Sequence, residues 1–293
     1  MRGFVALATA ALLLATAAAR AQSRVIETAH APSPALGHDL AYSVYLPPGY
    51  DTQERRYPSL YLLHGKDGNH REWLHDGHLR DTLDRMIAAG TVGPMIVIMP
   101  DGGGDSWYVD SKALGGDGDY GTAIGVDLVA HVDKSYRTEA TRRFRAIGGL
   151  SMGGFGALRL AFLTPFRFCA AASFSGALWA GMTEASAHGD KITRIFDGAF
   201  GRPFDLRRFV AENPLSMIAT VAAANDAPAV FLTVGDHDRY KLYDDTFIAF
   251  KRMRDAGMDV SMRMTSGDHQ WSTWAEELPA ALRFFDRAFK RCA

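Results

Sequence analysis

Two cysteines in 293 residues are too few for a disulfide framework, and the count leaves at most one bridge. Cys169 lies in the apolar run "FRFCAAASFSG" and reads as buried on a strand, while Cys292 is the penultimate residue. Two separate thiols are expected, with a bridge between them as the alternative. Excess positive charge is also missing. The formal net charge of -1 lacks the basic footprint that phosphate backbones select, so a nucleic-acid partner is not expected. There is no internal repeat, no low-complexity tract and no linker long enough to divide the chain. Beyond the N-terminus, no apolar run is long enough to span a bilayer.

The first 21 residues, "MRGFVALATAALLLATAAARA", have an early Arg2, a short alanine-rich apolar run and a small-x-small ending at Ala19-Arg20-Ala21. This is the layout of a secretory signal peptide cut after Ala21, and it implies an exported mature chain. The remainder, 22–293, is expected to form a single domain.

From about residue 57, buried-strand patterns alternate with helical ones. Strands are expected at Tyr57–Gly65, Met95–Gly104, Arg142–Gly149, Phe168–Gly176, Ala229–Gly235 and Val260–Met264. Helices are expected at Leu79–Gly90, Ala123–Tyr136, Phe155–Leu163, Tyr243–Ala256 and Trp271–Lys290. "HDLAYSVYLPPGY" alternates like an antiparallel edge strand, and Ala177–Pro228 reads as a helical excursion over the sheet edge. Such alternation implies an α/β fold: a mostly parallel sheet with helices on both faces and chemistry at the carboxyl ends of the strands.

"GGLSMGGFGA" packs five glycines around Ser151 between an expected strand and an expected helix. Glycine costs about 1 kcal/mol in a helix relative to alanine, so a purely structural segment has little use for so many. Gly149-Leu150-Ser151-Met152-Gly153 fits G-x-S-x-G, the sharp turn that lifts a nucleophilic hydroxyl above a sheet. The plainer alternative is a loop serine that caps the following helix. A serine nucleophile needs a base and a carboxylate to orient it. In α/β-hydrolases these follow in the order serine, acid, histidine, each after a later strand. Gly235-Asp236-His237-Asp238 offers two acids, and "SGDHQWSTW" offers His269 as the base.

The other histidines read differently. His237 is a solvated loop residue, and His64 shapes its own loop. His75 and His78 lack the further ligands of a metal site. "DGDYG" has no glutamate at the twelfth position of a calcium loop, so no metal is expected and no cofactor is implied.

Together "YLLHGKDGNHREW", "MPDGGGDSWYVD", "VDKSYRT", "GGLSMGGFGAL", "VGDHD" and "GDHQWSTW" resemble the esterase D or putative esterase family of α/β-hydrolases. The family includes feruloyl and acetyl esterases, tributyrin-type esterases, S-formylglutathione hydrolases and secreted mycolyltransferases. The matches run from about Tyr45 to Trp274. The resemblance implies Asp238 rather than Asp236 as the acid, His269 as the base, and the backbone amides of Met152 and Lys66 as oxyanion donors. Leu150 stands where S-formylglutathione hydrolases carry histidine, and an exported chain is separated from cytosolic glutathione, so that activity ranks low.

The resemblance therefore implies an exported serine esterase acting on short-chain, acetyl or feruloyl esters, free or linked to polysaccharide. An acyltransferase of the mycolyltransferase type and a non-catalytic carbohydrate-binding relative are the alternatives. Trp73, Trp107, Tyr108 and Trp271 are candidates to stack on substrate, and Asp67, Asn69 and Asp105 are candidate polar contacts. Neither the oligomeric state nor a lid role for 177–228 is legible.

Overall fold

The computed structural model describes residues 22–187, 190–224 and 226–292. The expected signal peptide lies outside them. Eight strands form one sheet: β1 (Arg24–Ser33), β2 (His38–Leu46), β3 (Ser59–Leu63), β4 (Ile96–Pro100), β5 (Arg145–Leu150), β6 (Ala170–Phe174), β7 (Ala229–Gly235) and β8 (Val260–Thr265). Their order is β1-β2-β4-β3-β5-β6-β7-β8. The β1–β2 and β2–β4 pairs are antiparallel, and every pair from β4 to β8 is parallel.

Every residue of β3 to β7 is buried, as parallel strands covered on both faces require. The period of two along each strand divides the core between the faces. Tyr61, Leu63 and Ile147 join one apolar cluster, and Leu60, Leu62 and Ala146 join the other. The Met152–Leu163 helix lies on the first face, and the Trp271–Cys292 helix closes the second.

The expected strands and helices are present, with shifted ends. The helix after Ser151 begins at Met152, three residues earlier than its sequence suggests, because the glycines of "MGGFG" sit inside its first turn. Two placements need correction. The "HDLAYSVYL" strand is not an edge strand, because β1 pairs along its outer side. β1 was invisible in the sequence because exposed and buried positions mix along it without an apolar run. The 177–228 excursion does not cover a sheet edge either. Its described residues form three helices, Asp190–Phe196, Leu206–Glu212 and Pro214–Ala222, and the last packs on the Met152–Leu163 and Leu242–Asp255 helices. It joins β6 to β7, which are neighbours inside the sheet, so its crossover rides over central strands. Among the described residues, no helix is long and apolar enough to cross a membrane.

Candidate active site

β5 delivers Ser151 at its carboxyl end and the chain turns directly into a helix. Ser151 adopts φ 52° and ψ -116°, a conformation that L-residues rarely hold. Backbone bonds over-determine the turn: Ser151 N–H donates to Phe174 O at 2.9 Å, and Ser151 O accepts from Ala177 N–H at 3.1 Å. Glycine is required where the His64–Gly65 loop meets this turn. A Cβ on Gly153 would sit 2.4 Å from His64 O, and one on Gly65 would sit 2.8 Å from Leu150 Cδ1.

The loops after β7 and β8 bring in the other two groups. His269 Nε2 lies 3.0 Å from Ser151 Oγ, and His269 Nδ1 lies 2.8 Å from Asp238 Oδ2. Asp238 is only 2% exposed, and its other oxygen accepts from Tyr240 N–H at 3.0 Å. An ionised carboxylate there fixes the proton on Nδ1 and leaves Nε2 free to accept from the serine hydroxyl. The imidazole is held edge-on between Tyr240 and Trp274, each with its centroid 4.9 Å away, and Trp274 Nε1–H donates to Ser175 Oγ.

Asp236, the rival acid, faces elsewhere. Its Oδ1 accepts from Gly267 N–H at 3.0 Å and lies 2.6 Å from His237 Nδ1. Those backbone and imidazole contacts hold its carboxyl below the usual range. Asp268 performs a related task that the sequence did not reveal. It accepts from His269 N–H at 2.6 Å, from Arg239 N–H at 2.8 Å and from Arg239 Nε–H at 2.9 Å. The Arg239 guanidinium pulls its carboxyl well below the ordinary carboxylate value. The loops after β7 and β8 are thus tied together by two carboxylates outside the Ser151–His269–Asp238 chain.

Met152 is the first residue of its helix, so its amide has no intrahelical acceptor. Lys66 follows Gly65 beside Ser151, and its ammonium pairs with Asp105 and with Asp67 at 3.2 Å. His64 is buried, its Nδ1–H donates to Gly65 O, and its Nε2 accepts from Gly102 N–H, so it shapes the loop.

The aromatic candidates are distributed differently from their loop positions. Trp73 is buried with Nε1–H on Leu63 O, and its ring meets Phe174 and Trp271. Trp107 and Tyr108 are turned inward by positive φ values of 51° and 56°. Trp107 packs on Phe155 and Phe196, and the Tyr108 hydroxyl donates to His64 O. For these three, protein occupies the space where a substrate ring was expected. Trp271 is partly buried against Trp73 and Trp274, and Asp67 is exposed. Asn69 accepts from Arg71 N–H and lines a polar cavity with His70, Glu72 and His75. Tyr240, 66% exposed against His269, is the accessible aromatic that sequence reasoning missed. Its only sequence signal is its place two residues after Asp238. Among the described residues, no three His, Cys, Asp or Glu side chains are grouped to hold a metal ion.

A mostly parallel eight-stranded sheet with a strand–serine–helix turn defines the α/β-hydrolase fold. The chain belongs to the esterase family described as "Putative esterase", whose model matches residues 33–285. A solved ferulic acid esterase is 30% identical, with a TM-score of 0.77 over 92% of this chain and 99% of its own. An esterase of Mycobacterium tuberculosis is 33% identical over 200 residues, which is 63% of this chain and 41% of that protein. The chain thus spans about two fifths of the length of that relative. An acetyl esterase of Caldicellulosiruptor saccharolyticus is 24% identical over 81% of this chain and 86% of its own.

Proposed function

We propose that the chain is an exported serine carboxylic-ester hydrolase working through an acyl-enzyme on Ser151. The observation that carries this reading is the continuous hydrogen-bonded chain from Ser151 through His269 to the buried Asp238. His269 Nε2 takes the hydroxyl proton as Ser151 Oγ attacks the ester carbonyl, and Asp238 holds the imidazolium that forms. The amides of Met152 and Lys66 receive the developing oxyanion, a kind of contact worth about 2.7–4 kcal/mol. His269 then gives its proton to the departing alcohol. Water, deprotonated by the same imidazole, releases the acid and restores Ser151.

Acetyl and feruloyl esters of short or polysaccharide-linked alcohols are the substrate class, on the resemblance to the ferulic acid and acetyl esterases. Trp271, Asp67 and the newly found Tyr240 are the side chains proposed to meet the substrate. Residues 22–293 act as a single domain after removal of the signal peptide, and the reading needs no cofactor. The test is hydrolysis of acetyl, butyryl, octanoyl and feruloyl aryl esters by the mature chain beside Ser151→Ala. Turnover confined to the unaltered serine is expected. A folded wild type inert towards all four, yet transferring acyl groups to an added sugar or lipid alcohol, overturns hydrolysis in favour of acyl transfer.

A further inference from the structure

The two thiols that the sequence left apart meet in the fold. Cys169 immediately precedes β6, at the end of that strand opposite Phe174, whose carbonyl holds Ser151. It is 1% exposed, and its thiol donates to Arg143 O at 3.2 Å. Cys292 lies in the last turn of the Trp271–Cys292 helix and is partly exposed. It packs on the same apolar cluster as Cys169. The two line one cavity of about 210 Å³, together with Arg142, Asp226, Asp259 and Arg291. Burial first, and then the neighbouring Cys292 thiol, push the Cys169 thiol above its ordinary value. Both sulfurs are unbonded.

We infer that Cys169 and Cys292 are a site of intramolecular oxidation, a disulfide that fastens the last helix to the sheet. Cys292 is the entry point because it is the one that reaches solvent. Its thiolate attacks one sulfur of an external disulfide, protein or small molecule, and the displaced thiolate takes up a proton. The Cys169 sulfur, whose proton leaves to solvent through the cavity, then attacks the Cys292 sulfur of that mixed disulfide. The second external thiol departs. The chain loses two protons and two electrons, and the external disulfide gains them. A disulfide asks for Cβ atoms about 3.5–4.5 Å apart, and a terminal helical turn frays readily enough to adjust to that spacing. The bridge encloses β6, β7, β8, Asp238 and His269 and leaves Ser151 outside. Constraint of the unfolded chain grows with loop length, so a closure this long belongs to the strongly stabilising class. The compartment it needs is oxidising, which follows from export as proposed above.

The experiment takes the mature chain, reduced and then exposed to oxidised glutathione, and reads intact mass after denaturing alkylation. The expected product is monomeric, lighter by two hydrogens and unalkylated, and its peptide map joins Cys169 to Cys292. Its thermal midpoint should rise by roughly 4–10 °C over the reduced form. Cys292→Ser should show no such rise. Two alkylated thiols after oxidation, a glutathione adduct that persists on Cys292, or a disulfide-linked dimer overturns the inference. An equal rise in Cys292→Ser overturns it too. Hydrolysis of the acetyl, butyryl, octanoyl and feruloyl aryl esters is followed in parallel. If none is hydrolysed while the bridge forms, the functional reading fails and the bridge stands.

Discussion

The Ser151 turn and the loops that carry Asp238 and His269 lie side by side at one end of the sheet, but different forces hold them. Ser151 is fixed by shape: backbone bonds to Phe174 and Ala177, and the contact of Gly153 and Gly65 with the neighbouring loop and strand. Asp238 and His269 are fixed by charge. Asp236 and Asp268, both facing solvent in part, fasten their two loops through backbone amides and Arg239. Shape is indifferent to salt but intolerant of a single added carbon. Charge tolerates side-chain change nearby but answers to ions and protons.

Four perturbations probe this contrast. Ser151→Ala should lower kcat/KM by roughly 10⁴–10⁶-fold, measured on an acetyl aryl ester with the thermal midpoint unchanged. Gly153→Ala should be the severest change to the shape side, because its methyl meets the His64 carbonyl. Overpacking of this kind costs about 3 kcal/mol, so denaturant unfolding should show it together with a drop in kcat. If Gly153→Ala proves as stable and active as wild type, the shape half of the comparison is wrong.

On the charge side, Asp268→Asn keeps the fold and should lower kcat about tenfold, with KM within twofold, because about 1 Å of misplacement is costly in a positioned base. Salt near 1 M should slow the wild type more than this variant. Equal salt responses would remove Asp268 from the clamp.

The smallest effect concerns His64, which lies on the shape side and should respond to protons chiefly through burial. Burial holds its imidazole below the ordinary 6.5. The unfolded chain therefore accepts a proton that the folded chain refuses, and stability is full above 6.5 and declines as pH falls below it. The contribution is at most about 1.4 kcal/mol per pH unit, and His64→Asn should flatten the slope of unfolding free energy against pH between 5 and 7.

Much of this site was legible because buried parallel strands announce themselves as apolar runs and the nucleophile turn needs its glycines. β5, the serine, and the later strands that deliver acid and base could be placed in order before any geometry. The choice between Asp236 and Asp238 could not be made from residue types, since both occupy one turn and only the backbone decides which carboxylate points inward. The aromatics failed for a related reason. Trp107 and Tyr108 follow a glycine-rich loop that suggests exposure, but their left-handed backbone turns both rings into the core. Arg239, Tyr240 and Asp268 look like solvated loop residues in sequence, because their partners are contributed by a different loop. The cysteines show the same limit, for nothing local to Cys169 foretells a neighbour from the final turn.

The order in which the site is made has a consequence in time. Ser151 and His269 are 118 residues apart, and the imidazole rests on Trp274 at the start of the last helix. At about 5–20 residues per second, a ribosome needs roughly 6–24 s to go from one to the other. On the function proposed above, Ser151 passes that interval without the imidazole that would activate it. On that reading, a chain that has not yet reached His269 is chemically quiet towards esters.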